Sequence, residues 1–195
     1  MRFMAKKYEF KQDKQGASFW SKLYLTQKQR RSILRWALYA LVLLAASVVQ
    51  DVILCRLQLF GATTDLVPCG IILICILEGA EKSSLFALAA SFLHLFSGGM
   101  PGIYSPVILT VVAVCASIFR QAYLQKGFGA TLLCAGIAML LYALVNFGVG
   151  LFSGLTLPGR VFGVLLSVVM TLPAIVLLNP VCMSIEALGG ETWKE

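Results

Sequence analysis

The chain has 195 residues, of which 59% are apolar and only 13% charged, against about 45–50% and about 25% in an average soluble domain. That composition excludes a soluble enzyme, a disordered chain, a collagen-like repeat and a secreted disulfide scaffold, and it specifies an integral membrane protein. The net charge of +7 is uneven, since ten of the 16 Lys and Arg lie between Arg2 and Arg35.

Residues 1–31 are polar and basic and read as a cytoplasmic arm. Within it, Phe19, Trp20, Leu23 and Tyr24 form a candidate interfacial patch. Thr26 and Gln29 have capping-box spacing, which predicts a helix that starts before the membrane and runs into it. The first apolar run, Trp36 to Leu54, has the length of a span, because about 20 residues at 1.5 Å each cross a core of about 30 Å. The long polar stretch before it and Gln50-Asp51 at its end mark a retained span rather than a cleavable signal. Leu66 to Leu77 and Ser83 to Phe96 follow, separated by Glu78, Glu81 and Lys82. Both runs are short, which predicts two thin or tilted helices or one re-entrant hairpin. Ile103 to Phe119 is closed by Arg120 and Lys126. Phe128 to Phe152 is unbroken by charge. Val161 to Val181 contains Pro173 and Pro180, which are expected to bend or end it. The sequence therefore predicts an all-α polytopic fold of about six transmembrane helices, two of them short or re-entrant. The membrane domain covers 32–185 and a cytoplasmic tail covers 186–195.

Six spans, or four plus a re-entrant pair, place both termini on one side. With that side cytoplasmic, the ten N-terminal basic residues join Lys82, Arg120, Lys126 and Lys194 inside, which is 14 of 16. Only Arg56 and Arg160 lie outside, so the positive-inside rule sets the orientation. The basic arm is expected to meet anionic lipid of the bilayer rather than nucleic acid.

The six cysteines, Cys55, Cys69, Cys75, Cys115, Cys134 and Cys182, form no CxxC and mostly sit in apolar runs. They read as small hydrophobes, with no disulfide or metal site expected. There is no HExxH, no GxSxG and no Gly-rich phosphate loop. Asp51 and Asp65 flank an outer loop, and Glu78 and Glu81 an inner one. Neither a catalytic site nor a cofactor is expected from these residues. His94 and Asn146 are the intramembrane polar candidates, and one interhelical hydrogen bond each is the simplest role for them. Gly159, Gly163, Ser167 and Thr171 recur at intervals of four on the last run. They predict a small face for close helix packing, within the fold or with a partner. Ser83, Ala87 and Ser91 predict another on the third run.

In the stretch from Thr64 to Arg120 an apolar helix opens at Asp65-Leu66-Val67-Pro68, and a charged break follows at Glu78-Gly79-Ala80-Glu81-Lys82. A second helix runs into the turn His94-Leu95-Phe96-Ser97-Gly98-Gly99-Met100-Pro101-Gly102. In this pattern the stretch resembles the MreD family of bacterial rod-shape-determining membrane proteins. Asp65, His94, Ser97, Gly98 and Gly102 are the motif positions. His94 stands where the family has an acid, and Phe86 and Ala90 stand where it has helix glycines. The glycines of the turn suit the positive-φ conformations of a tight loop. The resemblance implies a non-enzymatic scaffold of the cell-elongation, peptidoglycan-synthesising complex in the bacterial cytoplasmic membrane. Its implied partner is an MreC-like single-span protein, and beyond it a RodA-type glycosyltransferase, a penicillin-binding transpeptidase and the MreB filament. The alternative is a small-molecule-binding subunit of an uptake transporter. Such subunits show an A-x-x-x-A face on the first span, which Ala37, Ala40, Ala45 and Ala46 do not make.

Overall fold

The computed structural model describes residues 27–56, 62–124 and 127–188. The aromatic patch of the arm, Thr26 and most of the C-terminal tail lie outside them. The described residues form six α-helices, α1 (Gln27–Val52), α2 (Leu66–Glu78), α3 (Ala80–Phe96), α4 (Ser105–Tyr123), α5 (Phe128–Phe152) and α6 (Val161–Leu188), and no strand among them. Four of these, α1, α4, α5 and α6, are long and apolar enough to cross a membrane. The chain is thus all-helical and membrane-embedded in character.

α2 is the centre of the bundle. Its residues Val67 to Leu77 are all buried, as expected of a helix that is apolar on every face. It packs against each of the other five helices. At 13 residues it is about 20 Å long, short of the bilayer's hydrocarbon core of about 30 Å. Around it the order is α1, α6, α5, α4, α3, each packed on the next. The ring closes where Trp36 of α1 meets Phe86 of α3, with ring centroids 5.0 Å apart. Phe86 is therefore the bridge between the two end helices.

The outside of the bundle is apolar, unlike that of a soluble protein, and small polar side chains lie among the apolar residues of its interior. Ser83, Ser91, Ser105, Ser117, Thr171 and Asn179 are fully buried, whereas Leu44 is 66% exposed, Leu93 70% and Leu177 73%. Large apolar side chains on the outside suit lipid, and small polar ones inside let helices approach closely. On α3 the buried residues are Ser83, Ala87, Ser91 and His94, one continuous stripe. Ser83 and Ser91 donate to the carbonyls of Gly79 and Ala87, both at 2.6 Å.

The last helix runs through both of the prolines expected to bend or end it. Pro173 and Pro180 do not end it, and α6 continues over 28 residues. In a medium without water an interrupted helix leaves backbone groups unpaired, so continuing past a proline is favoured over breaking. Ser184 Oγ donates to the Pro180 carbonyl at 2.8 Å, one turn on.

Candidate functional site

The entry to α2 is held by side chains of other helices. Ser167 Oγ on α6 donates to the Thr63 carbonyl at 2.5 Å, and the Asp65 backbone N–H donates to Thr171 Oγ1 at 3.3 Å. The Val67 N–H, one of the donors an α-helix leaves open at its start, is accepted by Gln50 Oε1 of α1 at 3.0 Å. Asp65 occupies the N-cap position, yet its carboxylate makes no capping hydrogen bond. Its side chain is therefore left facing the neighbouring space. Burial pushes its carboxyl up from an ordinary 3.8 to about 6.

That space is a cavity of about 730 Å³ between the start of α2, α5, α6 and the two connecting loops at this end. Asp65, Tyr104, Tyr142, Asn146, Thr156 and Arg160 are among its polar lining residues. Asn146, 8% exposed, accepts from Ser105 Oγ at 2.8 Å and donates to the Tyr142 carbonyl at 3.2 Å, tying α5 to the start of α4. The single interhelical bond expected of Asn146 is thus the one to Ser105.

The four small residues at intervals of four do not share one packing role. Gly159 lies in the 3-10 turn Pro158–Arg160, before α6 begins. Gly159 and Gly163 line the cavity, and a Cβ at either would meet no atom within 4 Å. Ser167 and Thr171 hold the entry to α2. Half of the pattern makes room and half makes hydrogen bonds.

The turn after α3 has the geometry of a Schellman cap. Gly98 has φ +80°, its N–H donates to the Leu95 carbonyl at 3.0 Å, and the Gly99 N–H donates to the His94 carbonyl at 3.2 Å. Ser97 Oγ donates to the same His94 carbonyl at 2.8 Å. The His94 ring, 4% exposed, lies 3.5 Å from Ser97 Oγ through Nδ1, and its Nε2 has no partner among the described residues. The ring packs over Gly99, where an added Cβ would overlap its Cε1. Gly99→Ala should therefore lower stability by about 1–3 kcal/mol through overpacking. The same change in a His94→Ala background should be nearly silent, and melting of the four proteins in detergent checks it. Gly102 plays a similar part for Tyr104, whose ring would lie 2.6 Å from a Cβ there. Asp65, Gly99 and Pro101 line the cavity directly. Gly102 makes room for Tyr104, which lines it too. The two separated motif segments therefore meet on one cavity.

The other end of α2 carries a buried ion pair that sequence reasoning did not anticipate. Arg35 Nη2 lies 3.1 Å from Glu78 Oε2, with side chains 10% and 3% exposed. Tyr39, one turn beyond Arg35 on α1, donates to Glu78 Oε1 at 3.0 Å. Arg120 Nη1 donates to the Ile76 carbonyl at 2.7 Å, a cation at the negative end of a helix dipole. Gly79, with φ +89°, then reverses the chain into α3. In the sequence Arg35 and Tyr39 stand at i, i+4 where the first span opens, but nothing local named Glu78 as their partner.

Compared with protein families, with curated proteins and with solved structures, the chain matches none.

Proposed function

We propose that the chain is a non-enzymatic scaffold of a bacterial cell-elongation complex, of the MreD kind, that binds an MreC-like partner. The observation that supports this reading is the arrangement of the two motif segments. Residues 65–82 form the central helix α2 and its turn into α3, and residues 94–102 form the end of α3 and the loop after it, with Gly79 and Gly98 in positive φ at the two turns. The bundle supports a scaffold in a second way, because every helix rests on α2 and the outer faces are left apolar for lipid or for other spans. The charge distribution supports an orientation with both termini in the cytoplasm, so that the Asp65 cavity opens outward and the Arg35–Glu78 pair faces in.

Affinity purification of the full chain from gently solubilised membranes tests the reading. An MreC-like single-span protein should co-purify, and depletion in a rod-shaped host should make cells swell or round. Normal shape after depletion, with no such protein recovered, would remove the scaffold reading.

A further inference from the structure

We propose that the cavity at the start of α2 is a binding site for a small zwitterion, its ammonium group at Asp65 and its anionic group at Arg160. At about 730 Å³ the cavity falls within the range of small-ligand sites, about 300–1,000 Å³. Its emptiness is built into the chain, because Gly159 and Gly163 contribute no side chain where there is room for one.

The polar groups show what would fill it. Asp65 sits where an N-cap residue would serve its own helix, but Gln50 has taken the Val67 N–H and the carboxylate has no partner among the described residues. Arg160, exposed at the rim, makes no ion pair with it. One acid and one guanidinium therefore share the cavity without neutralising each other. Tyr104, Tyr142, Phe147 and Phe162 are also in the lining, and aromatic faces attract an organic ammonium. Thr156 Oγ1 is buried without a partner among the described residues and lies in the same lining. A ligand with a cation, an anion and a short apolar body satisfies all of these groups together. Two sources offer that chemistry, a short peptide and the phosphoethanolamine headgroup of a lipid.

Isothermal titration of the purified full chain in detergent with trialanine and with glycerophosphoethanolamine tests the proposal. At least one should bind saturably, and its N-acetylated form should bind about tenfold more weakly or less, the effect of losing one charge-assisted contact. Asp65→Asn and Arg160→Gln should each weaken binding by a similar factor. Gly163→Leu should abolish it by filling the cavity. Arg160 is on the surface, so its variant reports on binding even if the Gly163 variant folds poorly. Binding of trialanine alone identifies a peptide site, and binding of the phosphate compound alone a headgroup site. Binding of both identifies a site that reads the two charges only. The proposal is overturned if neither zwitterion binds, or if the N-acetylated forms or the Asp65→Asn protein bind equally well.

Discussion

Glu78→Leu should destabilise the bundle by about 3–5 kcal/mol, the cost of removing one partner from a buried ion pair. The reason is the company Glu78 keeps. Its carboxylate, 3% exposed, accepts from both Arg35 and Tyr39. Removing it strands a guanidinium that is itself only 10% exposed, in a place where water cannot replace the lost partner. Arg35 Nε already has no partner among the described residues, so the group has nothing in reserve. The pair also fixes α1, which packs mainly on α2 and α6 apart from the Trp36–Phe86 contact. The double variant Arg35→Met with Glu78→Leu should recover most of the loss, because a buried pair replaced by apolar groups of similar size is often neutral or better. A double-mutant cycle of melting in detergent reads the coupling directly. If Glu78→Leu melts as the wild type does, the pair is not buried in the working protein. If the double variant is as unstable as the single one, the effect is packing and not charge.

The contrast between the two ends of α2 explains what the sequence could and could not reveal. Apolar runs are a local property, and they placed the helices closely. Phe128 to Phe152 is the span of α5 to the residue, and Leu66 to Leu77 falls one short of α2. The shortness of that run reads as a thin, tilted or re-entrant segment, whereas α2 is buried along its length at the centre of the bundle. The positive φ of Gly98 was legible locally, because a glycine after a helix has few other uses. Partnerships across the bundle were not legible. Arg35 and Glu78 lie far apart in the chain, and Arg35 counted in the sequence only as one more basic residue on the cytoplasmic side. Gln50 reads as the close of a span, which it is, but it also accepts from the first turn of another helix. The small residues of α6 show the limit most clearly. Spacing of four places residues on one face, but it cannot say whether a helix, a backbone loop or an empty space stands opposite. Here Ser167 and Thr171 meet a loop, and Gly163 meets the cavity.

Asp65→Asn is expected to do the reverse of most substitutions and stabilise the protein, in a way that depends on pH. The Asp65 carboxyl titrates near 3.8 in the unfolded chain and about 6 in the folded one. Below pH 3.8 it is neutral in both states and costs nothing. As pH rises from there toward 6 the unfolded chain releases the proton and the folded chain retains it, so stability falls. Above about 6 both are ionised and the full penalty stands. At about 1.4 kcal/mol per pKa unit that penalty is at most about 3 kcal/mol. Asparagine fills the same volume and has no charge to desolvate. Melting of the two proteins in detergent should therefore differ most at about pH 7.5, in favour of the Asp65→Asn protein, and the gap should close by about pH 4. A gap that is absent at the higher pH, or unchanged at the lower, would mean the carboxylate is not held away from water. The same substitution is the one expected to weaken zwitterion binding. Stability gained and binding lost at one side chain is the mark of a group kept for its ligand rather than for its fold. No hydrogen bond among the described residues gives Asp65 another reason to be an acid.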